Sequence, residues 1–268
     1  MQKSDIPLIV FRLKDNYFSI SSQNVVAIIK EPNITQVPQS SKFVKGIFCH
    51  REETFKLIDL RRVFSMKGVS EEYNEFCELM DQRAADHKNW LKELENSVIE
   101  KREFSLTTNP HKCAFGKWYD NFRKQKDLNL RITRVLDQFD KPHQTIHNIA
   151  HQVKDLAAKE NFEDAHNIIE KTRNNQLSSM IGLFDEMKNQ YKEGNQQLVV
   201  VMREKERKTA IAVDFVNSVE FLDDVDISNI NNELINPNSE KIFEGLAKTN
   251  DNKMVLKLSD KEIIFGNF

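Results

Sequence analysis

Apolar and polar positions alternate in short bursts from about Ile6 to Phe64, in the segments LIVFRL, YFSISS, VVAIIK, GIFCH and TFKLIDL. These runs are rich in β-branched and aromatic residues, and KDN, EPN and VPQSS interrupt them, which predicts strands joined by turns. From about Ser70 to Lys192 the period changes. Two long runs, EEYNEFCELMDQRAADHKNWLKELENSVIEKREF and NFEDAHNIIEKTRNNQLSSMIGLFDEMKNQYKE, repeat apolar residues at helical spacing in a charged background and predict amphipathic helices. Pro110 and Pro142 are expected where a helix starts or a loop lies. From Gln197 strands return in LVVVMRE, KTAIAVDFV, SVEFLDD and KMVLKLSD. Neither strand-rich segment reads as a complete sheet. The expectation is therefore a mixed α and β chain in which the two strand-rich segments form one domain and a helical block is inserted.

Composition narrows the function. The 268 residues are enough to bury a real core. The 39 basic and 41 acidic side chains leave a net charge of -2, so there is no basic excess to neutralise the phosphates of a nucleic acid. Protein or small-molecule partners are expected instead. The opening MQKSDIPLIVF has the pattern of neither a signal peptide nor a membrane span, which points to a cytoplasmic protein with no membrane insertion. Cys49, Cys77 and Cys113 are too few and too scattered for a disulfide framework, so reduced thiols are expected. Cys49, in a predicted strand, and Cys77, beside Phe76 and Leu79, read as small packing residues.

Cys113 differs because of what accompanies it. In PHQTIHNIAHQ the apolar positions Ile146, Ile149, Ala150 and Val153 follow a helical period, and His143 and His147, four apart, share one face. With His87 in DHKNW and Cys113 in HKCAFGKWYDNF, three imidazoles and one thiolate offer a full tetrahedral set for Zn(2+). Taken alone, a histidine pair at this spacing is more often packing than ligand. His111 and His151 are competing donors, and His166 reads as a solvated helix residue. Trp90, Trp118 and Phe122 are expected in the bundle core.

The two textures each resemble a known family. The opening strand, the VxxI segment, VP after IT, Gly46, Arg51 and IDLR of Ile58 to Arg61, together with AVDFVNSVEFL and FEGLA, resemble the CheW family of chemotaxis coupling proteins. That resemblance implies a pair of small five-stranded, SH3-like β-barrels that dock on a CheA-type histidine kinase and on methyl-accepting chemoreceptors. Arg51 is its candidate partner contact, with a plain strand-end charge as the other reading. The chain departs from the family at Glu52 and Lys56, where glycine and proline are usual, and at Lys257, close to a usual acid. The helical block, through DHKNWLKEL, CAFGKWYDNF, KPHQTIHNIA and NFEDAHNIIEK, resembles the chemoreceptor zinc-binding (CZB) family. Its ligands, the histidine of H-x-x-W, the cysteine of C-x-[FL]-G-x-W and both histidines of H-x-x-x-H, carry over to His87, Cys113, His143 and His147. The family fold implies a helical bundle, commonly a homodimer. Taken with the change of texture, the lengths of the two families set the expected limits at 1–66 and 194–268 for the CheW-like domain and at 67–193 for the inserted bundle.

Four protein ligands leave no open position of the kind a catalytic zinc keeps, and HExxH, Gly-rich phosphate loops and G-x-S-x-G are missing from the sequence, so no enzyme is expected. The resulting expectation is a chemotaxis adaptor whose redox-reactive Cys113 reports hypochlorous acid or zinc. Its alternative is a zinc-stabilised scaffold or dimerisation unit without sensing. Zinc homeostasis and a metallohydrolase are the remoter readings.

Overall fold

The computed structural model describes residues 4–125, 129–225 and 240–266. The chain divides into two compact units, one made of Met1–Gly68 with Asn195–Phe268, the other of Val69–Gly194.

The first unit holds the strands β1 (Leu8–Leu13), β2 (Asn16–Ser21), β3 (Val25–Lys30), β4 (Val44–His50) and β5 (Glu53–Asp59), then the single-turn helix α1 (Leu60–Val63). After the helical unit come β6 (Leu198–Glu204), β7 (Arg207–Val213), β8 (Phe215–Glu220), β9 (Asp223–Val225), β10 (Phe243–Lys248), β11 (Met254–Leu258) and the short α7 (Asp260–Phe265). They form two sheets, ordered β8-β1-β2-β11-β10-β9 and β3-β6-β7-β5-β4. Each sheet interleaves strands from both segments, and the cross-segment pairs β2–β11 and β5–β7 are parallel. Neither segment alone can satisfy its backbone hydrogen bonds, so the two must fold together. The expected two five-stranded barrels are met only as mixed α and β architecture with two sheets: the first sheet has six strands. β3 and β8, at sheet edges, alternate half-buried and exposed residues, whereas Val199 to Met202 of the interior β6 are all buried. Phe11, Leu13, Ile58, Leu60, Val200 and Ile211 belong to one continuous core.

A polar cluster in this unit ties down both ends of the segment that leaves and returns. Asp214, between β7 and β8, accepts from Arg61 Nε at 2.8 Å and Nη2 at 2.7 Å, and from Gln197 Nε2 at 3.1 Å. Arg61 Nη1 also donates to the Lys67 carbonyl at 3.2 Å. Arg61 is 5 % exposed, and its charge is offset by this bidentate carboxylate.

The second unit is helical: α2 (Val69–Ile99), a 3₁₀ turn at Pro110–Lys112, α3 (Ala114–Phe122), α4 (Leu130–Ala158), α5 (Phe162–Thr172), a π turn at Arg173–Leu177 and α6 (Ser178–Gly194). The stripe Phe76, Met80, Ala84, His87, Leu91 and Leu94 on α2 recurs every three or four residues and faces the core. Asn129 caps α4 through the Arg131 amide at 2.9 Å, and Asn161 caps α5 through Asp164. α2 ends in a Schellman turn: Lys101 takes φ 54°, and the Arg102 amide donates to the Ser97 carbonyl at 3.0 Å. The continuous run expected from Asn161 to Glu193 is interrupted by the π turn, where Arg173 bonds Glu95 of α2 at 2.5 Å and also Glu170.

Pro142 corrects one expectation, because it lies inside α4 rather than at a boundary. The helix tolerates the lost amide because it runs on with a full apolar face: Leu136, Phe139, Ile146 and Ile149 are all buried. Cys49 also departs from its packing assignment, since it projects from β4 to solvent. Cys77 is half-buried. No helix among the described residues is long and apolar enough to cross a membrane.

Candidate metal centre

Three elements of the helical unit converge on one point. α2 supplies His87, α4 supplies His143 and His147 one turn apart, and the turn before α3 supplies Cys113; one donor atom from each lies within 4.8 Å of all the others. Cys113 Sγ is 3.2 Å from His143 Nε2 and 4.0 Å from His87 Nε2. The imidazole centroids are 4.9 to 5.7 Å apart, and each pair is close to perpendicular. Tetrahedral zinc with bonds of about 2.0 Å to nitrogen and about 2.3 Å to sulfur places its donor atoms about 3.3 to 3.6 Å apart. The observed separations bracket that range.

Each donor is held by local chemistry. His87 Nδ1 donates to the Arg83 carbonyl one turn earlier at 2.8 Å, which leaves the Nε2 lone pair facing the sulfur. Cys113 is the N-cap of α3, and its Sγ accepts from the Gly116 amide at 3.1 Å while the thiol donates to the Pro110 carbonyl at 3.2 Å. Phe115, fully buried, sets its edge against His143 at 4.9 Å and His87 at 5.7 Å. Trp90 covers His147 at 4.8 Å and is fixed by its indole N–H on the Thr107 carbonyl at 2.9 Å.

His147 provides the test of fit. It is 0 % exposed, and neither ring nitrogen makes a well-aligned hydrogen bond. The Thr107 carbonyl is near enough to favour its protonated form but not to accept such a bond. An unsatisfied buried imidazole costs stability, and a cation held with the other three donors would remove that cost. The electrostatics agree. Burial and the neighbouring His87 lower His147 to about 4. Burial, then the charges of His87, His147 and His111, lower His143 to about 2. His87 is lowered by burial against the opposing pull of the Arg83 carbonyl and Asp86. All three are therefore neutral at pH 7 with lone pairs available. Burial raises the Cys113 thiol, while the Gly116 and Phe115 amides at the helix start pull it down.

Sequence spacing did not disclose the role of Gly116. A Cβ built there would lie 1.8 Å from the Pro110 carbonyl oxygen, so only glycine allows the 3₁₀ turn to press against α3 and aim Cys113 inward. Gly116→Ala is expected to displace the Pro110–Lys112 turn, weaken zinc retention at least tenfold and lower the unfolding midpoint by several degrees. Metal content after dialysis against a competing chelator, together with a thermal scan, checks this; wild-type retention would show that the turn does not position the sulfur.

The competing donors lie elsewhere. His111 is exposed and pairs with Asp120 at 3.0 Å. His151 is exposed one turn beyond His147 and is not among the four clustered donors. His166 belongs to a second group with Glu95 and Glu170, but Arg173 already bonds both carboxylates. Trp90 is buried as expected, whereas Trp118 and Phe122 are only partly buried against the core. Arg51 belongs to the sheet unit, at the β4–β5 hairpin, where Arg51 and Glu52 take φ 49° and 65°. Positive φ at both loop residues is the type I′ hairpin geometry that favours glycine, and here Glu52 adopts it.

Comparison with known proteins adds the following. A family model of the CheW-like domain matches residues 7–82, and one of the chemoreceptor zinc-binding domain, CZB, matches residues 87–154, a span that includes all four donors. No curated protein matches the chain. Among solved structures, the scaffolding protein TtCheW from Thermoanaerobacter tengcongensis is similar at 12% identity, over 99% of this chain and 96% of that one, with a TM-score of 0.41.

Proposed function

We propose that this chain, which carries a CheW-like domain and a chemoreceptor zinc-binding domain, is a cytoplasmic chemotaxis adaptor that couples chemoreceptors to a CheA-type histidine kinase and carries its own zinc-thiolate sensor. Both matched domains are of non-enzymatic kinds. In this reading Asn195–Phe268 completes the CheW-like domain, since its strands fill both sheets begun before Gly68. Arg51 is a partner contact, on the observation that it is exposed at a hairpin tip. The helical unit forms the homodimer contact that its family resemblance implies.

The observation that carries the reading is Cys113 Sγ facing two imidazole Nε2 atoms, with the unsatisfied His147 beside them. His87, Cys113, His143 and His147 would hold the metal. When bound, zinc would keep the sulfur as a thiolate and join α2, α4 and the start of α3. Cys113 supplies the reactive atom: its sulfur attacks hypochlorous acid, gaining oxygen as a sulfenic acid while chloride leaves. The sulfur is then a poorer donor.

Elemental mass spectrometry before and after one equivalent of hypochlorous acid tests the proposal. About one zinc per chain at the start and loss of more than half afterwards are expected, with mass addition at Cys113. Zinc retained with Cys113 unmodified would instead establish the structural alternative, favoured by the same burial, in which the bundle only clusters coupling domains.

A further inference from the structure

A cavity of about 610 Å³ in the helical unit begins one turn along α4 from His147, at Ala150. Its floor is apolar: Leu94 and Val98 of α2, Ala150, Val153 and Ala157 of α4, and Phe162 at the start of α5. The segment after the Schellman turn of α2 forms another wall through Lys101, Phe104 and Thr108. A volume of this size, lined by three helices and a connecting segment and open on one side, matches a small-molecule site.

The charges around it set the ligand class. Arg102 is already taken by Glu93 at 2.6 Å and Glu100 at 2.5 Å. Lys101 and Lys154 are the ammonium groups left to meet a ligand, and Lys101 Nζ sits 5.1 Å from the Phe162 ring centroid, at the cavity wall. Glu103 and Glu160 also line the cavity and oppose a polyanion such as a nucleotide. A narrower cavity of about 390 Å³ shares Val98, Lys101 and Phe162 with the first and runs towards Ile99, which is 70 % exposed. Lys101 and Phe162 thus line both cavities, but Glu95 and Glu163 line the second, so the ligand groove is the first.

We infer that this groove is a binding site for an amphipathic monoanion, a carboxylate with a long apolar body, whose head group meets Lys101 and Lys154 and whose tail lies on Leu94, Val98 and Val153. Occupancy has a built-in reporter. Phe104 lines the cavity and contacts Trp90 edge-on at 5.0 Å, and Trp90 is one of two tryptophans in the chain. The inference stands on the cavity alone and does not need the metal centre to sense anything.

The test is calorimetric and fluorescence titration of the full-length, zinc-loaded protein with decanoate below its micelle concentration, and with 1-decanol. The expected result is one decanoate per chain with a change in tryptophan emission, and decanol at least tenfold weaker. Lys101→Gln combined with Lys154→Gln should weaken decanoate tenfold or more and leave decanol unchanged. Ala157→Phe should abolish both, with zinc content and circular dichroism confirming the fold. Absence of saturable binding overturns the inference, as does binding that ignores both variants. A dimer in sedimentation whose hydrogen-exchange protection covers residues 97–108 and 150–160 assigns the groove to a second copy and overturns it too.

Discussion

Chelation is expected to lower the unfolding midpoint of the helical unit by about 10 to 20 °C while leaving that of the sheet unit within about 2 °C. The four donors come from three separate elements, which also meet through the apolar core around Phe115, Phe139 and Phe184 and through the Tyr119 hydroxyl on the Leu136 carbonyl. A metal bound by the native arrangement and not by the unfolded chain stabilises by mass action, about 4 kcal/mol when free metal exceeds its dissociation constant a thousandfold. For a unit of this size that free energy corresponds to the stated shift. The sheet unit contributes no donor to the cluster, so its transition supplies an internal reference. Scanning calorimetry with and without chelator, followed by zinc re-addition, makes the measurement. Equal shifts in both transitions would mean that the chelator acts by some route other than this site, and no shift would mean that the native cluster binds no metal.

Much of this architecture is legible from local chemistry. The α2 and α4 stripes are long and strongly periodic, so their helical state is readable from spacing alone. The cluster is readable because His87 precedes Trp90 and Cys113 precedes Phe115 and Gly116 in short motifs, while His143 and His147 share a helix face at a spacing of four. What spacing cannot convey is contact across the chain. Pro142 resembles a helix boundary locally, yet the apolar face on either side of it carries α4 straight through. The π turn at Arg173–Leu177 stretches the buried spacing to five residues between Thr172 and Leu177, which a polar threonine does not announce, and Glu95, the partner of Arg173, is 78 residues away. β10 is too mixed in its pattern to announce a strand, and it becomes one by pairing with β11 and β9. The need for glycine at 116 is equally nonlocal in character, since it depends on the Pro110 carbonyl folding back onto α3. Glu52 in a left-handed turn shows the reverse: the hairpin register set by the His50–Glu53 pair prevails over the residue's own preference.

The metal-free protein is expected to lose stability steeply as pH falls below about 6.5. His143 and His147 titrate near the ordinary value of 6.5 in the unfolded chain but at about 2 and about 4 when folded, because burial penalises the imidazolium. Between those values the unfolded state binds more protons, so acidification favours unfolding; above pH 6.5 neither state is protonated and the difference vanishes. At pH 5 each of the two destabilises the fold by about 2 kcal/mol, or about 4 kcal/mol together, and His87, also lowered by burial, adds in the same direction. The effect of His147 levels off below pH 4, while that of His143 persists to about pH 2. Both side chains are at most 5 % exposed, so solvent screening does not dilute the effect. Urea unfolding followed at 222 nm between pH 7.5 and 5, on protein freed of metal, should show the midpoint falling over that interval. Calorimetry in buffers of differing ionisation enthalpy should count about two to three protons taken up per chain on unfolding near pH 5.5. A flat midpoint with no proton uptake would mean that these histidines are solvated in the folded protein, and the buried donor cluster would then be untenable as a zinc site.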